Sequence, residues 1–277
     1  MIKSFSKINL SLRVLKKLNN GLHNIQSNSL LINLCDNIII KKINYSKDLV
    51  FFKGKFKKFV KQKDNTVIKT LNGLRSKKLI KGNYKVIIRK NIPVFSGLGG
   101  GTSNAFTIVK YFLKRNINEK IIRYFENIIG SDFRLFLNKQ CYQQSLKKIF
   151  KSKKNFSFFI LIIYPRYRCS TKDIYSKVKN IKTFKKKYYS LASSKTQFIK
   201  LMKNESNDLQ KIVVKKFPVI NKIISLIAKQ NGCYFSRITG SGSCCFGVFK
   251  NQSLAKAALT SIKRKYPKYW CVVTKTI

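Results

Sequence analysis

A glycine-rich segment is the part of this sequence with the clearest chemical potential. Residues 93–104 read Pro-Val-Phe-Ser-Gly-Leu-Gly-Gly-Gly-Thr-Ser-Asn, with four glycines between Gly97 and Gly101. Backbone amides in such a loop can approach a ligand closely because no Cβ atoms intervene. A helix is predicted to begin near Thr102, and the unpaired N–H groups at a helix N-terminus attract anions. The hydroxyls of Thr102 and Ser103 could cap that helix, bind a phosphate oxygen or reach a magnesium ion.

Two well-known phosphate-binding patterns do not describe this loop. No lysine follows the glycines as in the Walker pattern, and Thr102 stands where the dinucleotide fingerprint requires its third glycine. A glycine-rich turn with a threonine cap is the structural alternative. Because three consecutive glycines open a predicted helix, we favour phosphate binding.

Other candidate groups each have an ordinary structural explanation as well. Asp132 precedes an apolar run, where an aspartate commonly caps a helix. Lys7 could be a surface lysine beside a strand, and His23, the only histidine, could be a satisfied turn residue. A Gly-Ser turn at 239–243 is compatible with a hairpin. Its small residues would also allow it to close with the first loop around one triphosphate.

Cysteine and histidine usage argues against a zinc site. Seven cysteines are scattered without a C-x-x-C motif, and there is one histidine. Buried, reduced thiols are the simpler interpretation. The longest apolar run, 158–164, has seven residues and is too short to span a bilayer. Since residues 8–14 alternate like a strand rather than a signal peptide, we predict a cytoplasmic protein.

The charge balance is extreme. Lysine and arginine number 59 against nine acidic residues, which gives a formal net charge of +50. A coding bias toward A and T would explain the lysines better than the missing acids, and a polyanionic partner is the functional alternative. The basic residues are spread along the chain, with short clusters at 151–154 and 185–187 and no RNP or zinc-finger pattern. We favour a solvated basic surface that also attracts phosphorylated substrates, and the cause of the imbalance stays open.

Periodicity predicts the elements that must position these groups. Apolar and polar residues alternate over 8–14, which predicts a strand, and further β-rich segments follow at 38–43 and 84–88. Amphipathic helices are predicted after the glycine loop and over 121–129, the second closed by Gly130.

The pattern resumes beyond a polar boundary at 151–155. The predicted elements are a buried strand over 158–163, two helices within 205–230 of which the second begins at Pro218, a strand over 245–249, a helix over 254–265 and a closing strand over 270–274. Strands and helices alternating around glycine-rich turns predict an α+β protein.

Several short motifs, in collinear order, resemble one enzyme family. They are Lys7-Ile-Asn-Leu-Ser-Leu12, Gly21-Leu-His23, Pro93 to Asn104, Gly130-Ser-Asp132, Ser170-Thr171 with Tyr175, Asn207-Asp-Leu209 and Thr239 to Cys244. This combination resembles the 4-diphosphocytidyl-2-C-methyl-D-erythritol kinases of the GHMP superfamily. The Gly-Leu-Gly-Gly-Gly loop is typical of the superfamily, and the opening Lys-Ile-Asn-Leu with the Gly-x-His narrows the resemblance to this family.

The resemblance implies an α+β two-domain GHMP kinase fold. An N-terminal ATP-binding domain like domain 2 of ribosomal protein S5 would span 1–153, and a ferredoxin-like C-terminal substrate domain would span 154–277, with ATP in the cleft between them. The implied activity is ATP-dependent phosphorylation of the 2-hydroxyl of the family's substrate, a step of the non-mevalonate isoprenoid precursor pathway. The implied cofactors are ATP and Mg²⁺.

The resemblance also implies the catalytic residues and the residues around ATP. Asp132 would take the proton from the erythritol 2-hydroxyl, and Lys7 would pair with it, keep it ionised and hold the attacking oxygen. The residues expected around ATP are Asn65, Lys90, Pro93, Gly97, Leu98, Gly99, Gly100, Gly101, Thr102, Ser103 and Asn104, with Mg²⁺ near Ser103.

The substrate-binding residues implied by the resemblance come from both halves of the chain. Asn9 and Thr171 would hold the methylerythritol, whereas His23 and Tyr175 would take the cytosine. The turn at Gly240 and Ser241 is expected beside the same substrate. The implied partner is therefore a small molecule, with no specific nucleic acid and no membrane, and the protein would be a monomer or homodimer.

The sequence departs from the family pattern at four residues. Phe95 and Ser96 stand where the loop normally has more glycine, Arg134 where proline is usual, and Leu22 where an aromatic residue precedes the histidine. None of these changes removes a catalytic group.

Two alternative functions compete with the activity that the resemblance implies. One is another GHMP kinase, acting on homoserine or a mevalonate-like acid, which His23 and the Lys7 motif disfavour. The other is a basic RNA-binding relative of the fold, which the intact Lys7, Asp132 and glycine loop disfavour.

Overall fold

The computed structural model describes residues 1–19, 21–179, 184 and 192–277. The basic cluster at 185–187 lies outside the described residues. The elements in chain order are β1 (Ile2–Lys17), β2 (His23–Ile43), β3 (Leu49–Lys53), α1 (Thr66–Ser76), β4 (Asn83–Arg89), α2 (Gly100–Leu113), α3 (Glu119–Ile129), β5 (Gln140–Gln143), β6 (Ile149–Lys151), β7 (Phe159–Tyr164), α4 (Thr171–Ser176), α5 (Lys195–Lys203), α6 (Gln210–Lys216), α7 (Val219–Ala228), β8 (Cys233–Ile238), β9 (Cys245–Phe249), α8 (Gln252–Lys265) and β10 (Trp270–Lys275).

Contacts between residues divide the chain into two compact units that are discontinuous in sequence. The first unit comprises Met1–Ser6, Leu34–Val94 and Gly99–Leu137, and the second comprises Lys7–Asn33, Phe95–Leu98 and Asn138–Ile277. The sequence predicted one boundary, at 153/154. The units interleave because the long strands β1 and β2 contribute residues to both of them. The division into 1–153 and 154–277 therefore stays a prediction.

The first unit packs three helices with the C-terminal half of β2. There β2 pairs antiparallel with β4, which in turn pairs parallel with β3. Leu71 of α1, Ile108 of α2 and Phe125 of α3 are fully buried, as is Ile38 of β2. Asparagine side chains cap α1 and α3. Gly130 ends α3 where the sequence predicted, but its φ of +138° and ψ of 156° are not the αL conformation of a C′ glycine.

The second unit contains an antiparallel sheet with the strand order β10-β7-β9-β8. Counted within this sheet, the order is 4-1-3-2, with helices connecting β7 to β8 and α8 connecting β9 to β10. This is the topology of a ferredoxin-like domain, as predicted. Isoleucines at i, i+3, i+4 and i+7 along α7 form one buried stripe against it, namely Ile220, Ile223, Ile224 and Ile227.

Most predicted elements occur within two residues of their predicted positions or inside longer elements. The strand predicted over 8–14 is the middle of β1, and the segment predicted over 38–43 is the end of β2. The helices and strands predicted after residue 205 correspond to α6, α7, β9, α8 and β10. No helix in the described ranges is both long and apolar enough to cross a membrane. All seven cysteines are free, and burial raises the pKa of Cys169 to about 11.

Candidate active site

Gly97 fixes the start of the glycine segment against the 239–243 turn within the second unit. Its φ is +79°, and a Cβ at this position would stand only 2.1 Å from the carbonyl oxygen of Thr239. No side chain fits there without movement of the backbone. The hydroxyl of Thr239 donates to the carbonyl oxygen of Gly97 at 3.3 Å, and the next carbonyl, that of Leu98, accepts from the amide of Lys7 at 3.0 Å. The loop is thereby joined to both β1 and the turn.

Lys7 and Asn9 lie on the same face of β1 and form a buried polar pair. The Lys7 ammonium donates to Oδ1 of Asn9, and both side chains are nearly inaccessible to solvent. The Asn9 amide group donates to the hydroxyls of Ser27 and Ser29 at 2.8 and 2.9 Å. The backbone N–H of Asn9 donates to the Thr239 hydroxyl at 3.0 Å. The strand thus presents a lysine whose position is set by neighbours on β2 and the turn.

The turn that contains Gly240 and Ser241 joins this network. A Cβ at Gly240, where φ is +54°, would stand 3.4 Å from Oδ1 of Asn9. The hydroxyls of Ser241 and Thr171 are 3.1 Å apart, which ties the turn to the first residue of α4. The structure therefore brings together Lys7 with four of the residues expected to hold substrate.

His23 and Tyr175 form an aromatic pair in the second unit. Their ring centroids are 5.4 Å apart with the planes tilted by 32°. His23 is the first residue of β2, and Tyr175 lies one helical turn after Thr171 on α4, the helix whose first residue contacts the turn. Burial, with a contribution from the charge of Lys17, lowers the pKa of His23, so the imidazole is neutral at pH 7. A neutral imidazole offers one donor and one acceptor to a ligand.

Sequence reasoning missed the residues that support this network from a distance in the chain. The side chain of Asn207, quoted only as part of a motif, donates to the carbonyl oxygens of Ile238 and Gly240 at 3.1 and 2.9 Å. The guanidinium of Arg237 donates to the carbonyl oxygens of Leu10 and Met202 at 2.8 and 2.6 Å. Burial lowers the pKa of Arg237 to about 10. These contacts tie β1 and the turn to α5 and β8.

Gln143 is a further buried polar residue without a sequence signal. It lies opposite Ser27 in the ladder of β2 and β5 and is fully buried. Neither Oε1 nor Nε2 of Gln143 has a hydrogen-bond partner among the described residues. A buried amide with no partner destabilises the fold, and it is available to a polar group of a ligand or to a water molecule.

In the first unit, the rest of the glycine segment opens α2. Gly99 precedes the helix in the left-handed conformation, with φ +69°. A Cβ at Gly100 would stand 2.9 Å from Cγ2 of Ile92, and one at Gly101 would stand 3.4 Å from the hydroxyl oxygen of Thr66. Since Thr66 is the first residue of α1, the N-termini of α1 and α2 lie side by side. Two helix N-termini together form a favourable environment for anions.

Asn65 and Lys90, both expected near ATP, have defined structural partners. Oδ1 of Asn65 caps α1 by accepting from the amides of Val67 and Ile68 at 3.0 and 3.1 Å. Lys90 forms a buried ion pair with Asp36. A Cβ at Gly100 would be 3.5 Å from Nζ of Lys90, so this ion pair lies directly behind the glycine segment.

Asp36 was not recognised in the sequence, and it organises the strand end before the loop. Its Oδ1 accepts from the amides of Asn91 and Ile92 at 2.7 and 2.9 Å, while Oδ2 accepts from Lys90. The carboxylate is fully buried. These bonds hold the backbone just before Pro93, which is also buried.

The polar residues of the first turns of α2 are held in different ways. The Ser103 hydroxyl donates to the carbonyl oxygen of Phe5 at 2.5 Å and lies 2.7 Å from the hydroxyl of Ser4, so it ties α2 to β1. Oδ1 of Asn104 is buried and has no hydrogen-bond partner among the described residues. Thr102 is partly exposed. The side-chain oxygen of Asn104 is therefore available for a further contact.

Asp132 belongs to the first unit and lies in the 3₁₀ segment Ser131–Leu137, which follows α3. Its side chain is partly buried, and the next residue, Phe133, is fully buried. The carboxylate is therefore carried by a short, well-anchored turn and not by an N-capped helix of several turns.

Comparison with known families and structures agrees with this architecture. The family model described as "GHMP kinases N terminal domain" matches residues 65–130, and that described as "GHMP kinases C terminal" matches residues 188–268. A solved structure of a 4-(cytidine 5'-diphospho)-2C-methyl-D-erythritol kinase superposes with a TM-score of 0.73 at 19% identity, covering 99% of this chain and 98% of that one. A homoserine kinase from Cytophaga hutchinsonii superposes with a TM-score of 0.68 at 14% identity, covering 100% and 96%. These likenesses show the fold.

Curated relatives resolve the family. The chain is 35% identical over 284 residues to the 4-diphosphocytidyl-2-C-methyl-D-erythritol kinase of Pelagibacter ubique, covering 100% of this chain and 98% of the relative. It is 30% identical over 285 residues to the enzyme of the same name from Wolbachia pipientis, with the same coverage.

The fold and the two matching domains define a GHMP-type kinase. Given relatives of this similarity over the full length, the chain belongs to the 4-diphosphocytidyl-2-C-methyl-D-erythritol kinase family, which confirms the resemblance seen in the sequence motifs.

Proposed function

We propose that this protein transfers the γ-phosphoryl group of ATP to the 2-hydroxyl of 4-diphosphocytidyl-2-C-methyl-D-erythritol, in the non-mevalonate route to isoprenoid precursors. The observation that carries the proposal is the buried Lys7–Asn9 pair, joined through Thr239 to the glycine segment. In a chain related over its full length to kinases of this name, it places a fixed cation beside a glycine-rich loop. The protein would act in the cytoplasm as a monomer or homodimer.

On the donor side, the backbone from Gly97 to Ser103 is proposed to cradle the phosphates of ATP. Glycine at 100 and 101 lets the first turn of α2 lie close to Ile92 and Thr66, and the paired N-termini of α1 and α2 favour negative charge. The unpartnered Oδ1 of Asn104 offers a contact to a hydroxyl or to a water of a hydrated cation. Mg²⁺, when bound with the nucleotide, would neutralise phosphate charge.

The remaining donor-side residues act through the positions they hold. Asn65 keeps α1 capped, and Lys90 with Asp36 supports the strand that leads to Pro93. We propose that their contribution to ATP binding is exerted through the helix N-terminus and the loop backbone, because their side chains already have protein partners. Ser103 likewise orients the first turn of α2 through its bond to Phe5.

For the chemistry, Asp132 is proposed to accept the proton of the attacking hydroxyl, and Lys7 to hold that oxygen. Phosphoryl transfer passes through a loose transition state, so positioning and charge stabilisation account for most of the catalysis. The amide of Asn9 accepts a hydrogen bond from the Lys7 ammonium and fixes where it points. One carboxylate is then sufficient as a general base.

On the acceptor side, the methylerythritol is assigned to the polar network and the cytosine to the aromatic pair. Asn9, Thr171 and the turn at Gly240 and Ser241 offer an amide, hydroxyls and backbone groups within one hydrogen-bonded cluster. His23 and Tyr175 present ring faces and a neutral imidazole suited to a pyrimidine base.

A substrate panel tests this function. Purified protein would be given ATP, Mg²⁺ and one acceptor at a time, and ADP release would be followed for the cytidylyl substrate, homoserine and mevalonate. We expect kcat/KM for the cytidylyl substrate to exceed the others by at least about 10³-fold, since the other acceptors lack the base that His23 and Tyr175 would bind. Comparable turnover of homoserine or mevalonate would replace this assignment with another GHMP kinase.

A further inference from the structure

Arg134, two residues after Asp132, makes a dense set of ionic hydrogen bonds within the first unit. Its guanidinium donates through Nε and Nη2 to both carboxylate oxygens of Glu126, at 2.8 and 2.9 Å. Nη1 and Nη2 donate to both oxygens of Glu119, at 2.9 and 2.8 Å. Both glutamates belong to α3. Bidentate pairs of this kind are among the strongest and most directional hydrogen bonds in proteins.

The burial of this cluster shows that it is more than a surface ion pair. The side chain of Arg134 is 10% exposed and that of Glu126 is 14% exposed, whereas Glu119 is half exposed. The hydrogen bonds that Arg134 donates to Glu126 and then to Glu119 raise the pKa of Arg134, and the bond from Arg134 lowers the pKa of Glu119. The whole chain has only nine acidic residues for 59 basic ones, so two carboxylates on one arginine is an unusual concentration.

A second anchor acts on the residue between Asp132 and Arg134. The ring of Phe133 is stacked on that of Phe125 of α3, with centroids 5.4 Å apart and planes at 20°, and meets Phe106 of α2 edge-on at 5.4 Å. Before the aspartate, the amide of Gly130 donates to the carbonyl oxygen of Glu126 at 2.9 Å. The segment that carries Asp132 is therefore attached to α3 on both sides.

We propose that Arg134 is a positioning residue for Asp132: its double ion pair with Glu119 and Glu126 locks the 131–137 turn onto α3. This inference rests on the proposed function of Asp132 as general base. A proline at this position would restrict the backbone directly. Here the Arg134 side chain restricts the backbone instead, through two ion pairs to α3. Proton transfer needs the carboxylate to be held near one geometry, and small displacements of a catalytic group reduce turnover strongly.

The test compares Arg134→Met and Arg134→Lys with Arg75→Met. Methionine keeps the apolar stem but removes the charge, and lysine keeps the charge but cannot form the bidentate fork. Arg75 forms an ion pair with Asp48 in the same unit, with its Nη2 3.0 and 2.9 Å from the two carboxylate oxygens, and it has no proposed part in catalysis, so it serves as the control for the loss of an ion pair. Steady-state kinetics with ATP and the cytidylyl substrate, together with Tm, would be measured for each protein.

We expect kcat to fall by about 10- to 100-fold in Arg134→Met and less in Arg134→Lys, with both KM values changed by less than about twofold. Arg75→Met should keep the wild-type kcat, with a smaller loss of Tm because its side chain is 36% exposed and pairs with one carboxylate. If Arg134→Met does not fold, Glu119→Gln removes half of the clamp from its more exposed partner and should lower kcat alone. Wild-type kcat in the folded variants, or an equal loss of kcat in Arg75→Met, would overturn the proposal. If Asp132→Asn itself retained turnover, the failure would lie instead with the proposed function.

Discussion

At the scale of single residues, Asp132 is the group on which the proposed phosphoryl transfer depends most. Replacing it with asparagine removes the proton acceptor but preserves the size of the side chain in an anchored turn. We predict that Asp132→Asn lowers kcat by at least about 10²-fold, the lower end of general-base contributions. ATP binding, measured by calorimetry, and Tm should stay close to wild type. A variant that keeps most of its turnover would remove Asp132 from the mechanism.

Tyr175 and Leu22 test where the cytosine binds. Tyr175 contacts His23, whereas Leu22, nearly half exposed, stands where relatives of this kind are expected to have an aromatic ring. Base–aromatic stacking is worth about 1–3 kcal/mol, so Tyr175→Ala should raise the KM for the cytidylyl substrate by about 5- to 150-fold. The KM for ATP should stay within about twofold, as the control.

The reciprocal change adds a ring instead of removing one. Leu22→Tyr supplies a second aromatic face and should lower the KM for the cytidylyl substrate, with no effect on ATP. Should Tyr175→Ala leave the KM of the cytidylyl substrate unchanged, the base does not bind at this pair, and the assignment of the substrate would weaken with it.

At the scale of elements, the contact between the glycine segment and the 239–243 turn can be tested with two glycines of almost identical φ. Gly97 and Gly21 have φ values of +79° and +80°, yet a Cβ would meet the Thr239 carbonyl oxygen at 2.1 Å in the first case and nothing within 4 Å in the second. Gly21→Ala should therefore cost only the left-handed conformation, roughly 1–2 kcal/mol.

Gly97→Ala should cost that amount plus an overpacking term of about 1–3 kcal/mol, and should raise the KM for ATP because the loop must move. Chemical denaturation and steady-state kinetics would measure both effects. Equal stability of the two variants would show that the close approach of the loop to the turn is not formed in solution.

The same scale shows what could be predicted from sequence. The glycine segment and the periodic strands and helices were predictable because their signals are local: consecutive glycines before an amphipathic helix, or alternation along β1. Asn207 and Asp36 act on backbone groups far away in the chain or in another element, which no spacing reveals. Arg134 departs from the family pattern, but its role becomes visible only when Glu119 and Glu126, fifteen and eight residues earlier, are seen on one face of α3.

The division into two interleaved units could not be predicted from the sequence for a similar reason. The polar segment 151–155 resembles a linker. In β1 and β2, by contrast, no residue pattern indicates where the strand passes from one compact unit to the other. A continuous strand has the same periodicity on both sides of such a point, so its sequence does not reveal the division.

At the scale of the whole molecule, the net charge of +50 makes a prediction of its own. If it is a solvated surface, the protein binds duplex DNA and RNA at low salt without sequence preference, through phosphate contacts alone. With six or more such contacts, affinity should fall by about 10³-fold or more between 50 and 200 mM salt. Fluorescence anisotropy with two unrelated oligonucleotides of equal length would measure it. Selective binding that persists at physiological salt would support the RNA-binding alternative.

Phosphorus NMR with mass spectrometry of the product identifies the hydroxyl that receives the phosphoryl group, and thereby tests the proposed reaction. Wild-type protein would be incubated with ATP, Mg²⁺ and 4-diphosphocytidyl-2-C-methyl-D-erythritol, with Asp132→Asn as the matched control. The proposed function predicts one new phosphomonoester, which its coupling pattern locates at the 2-hydroxyl. It should form in equal amount with ADP and be almost absent with the variant. ADP released without a phosphorylated product, or a phosphate attached at another hydroxyl, would contradict it.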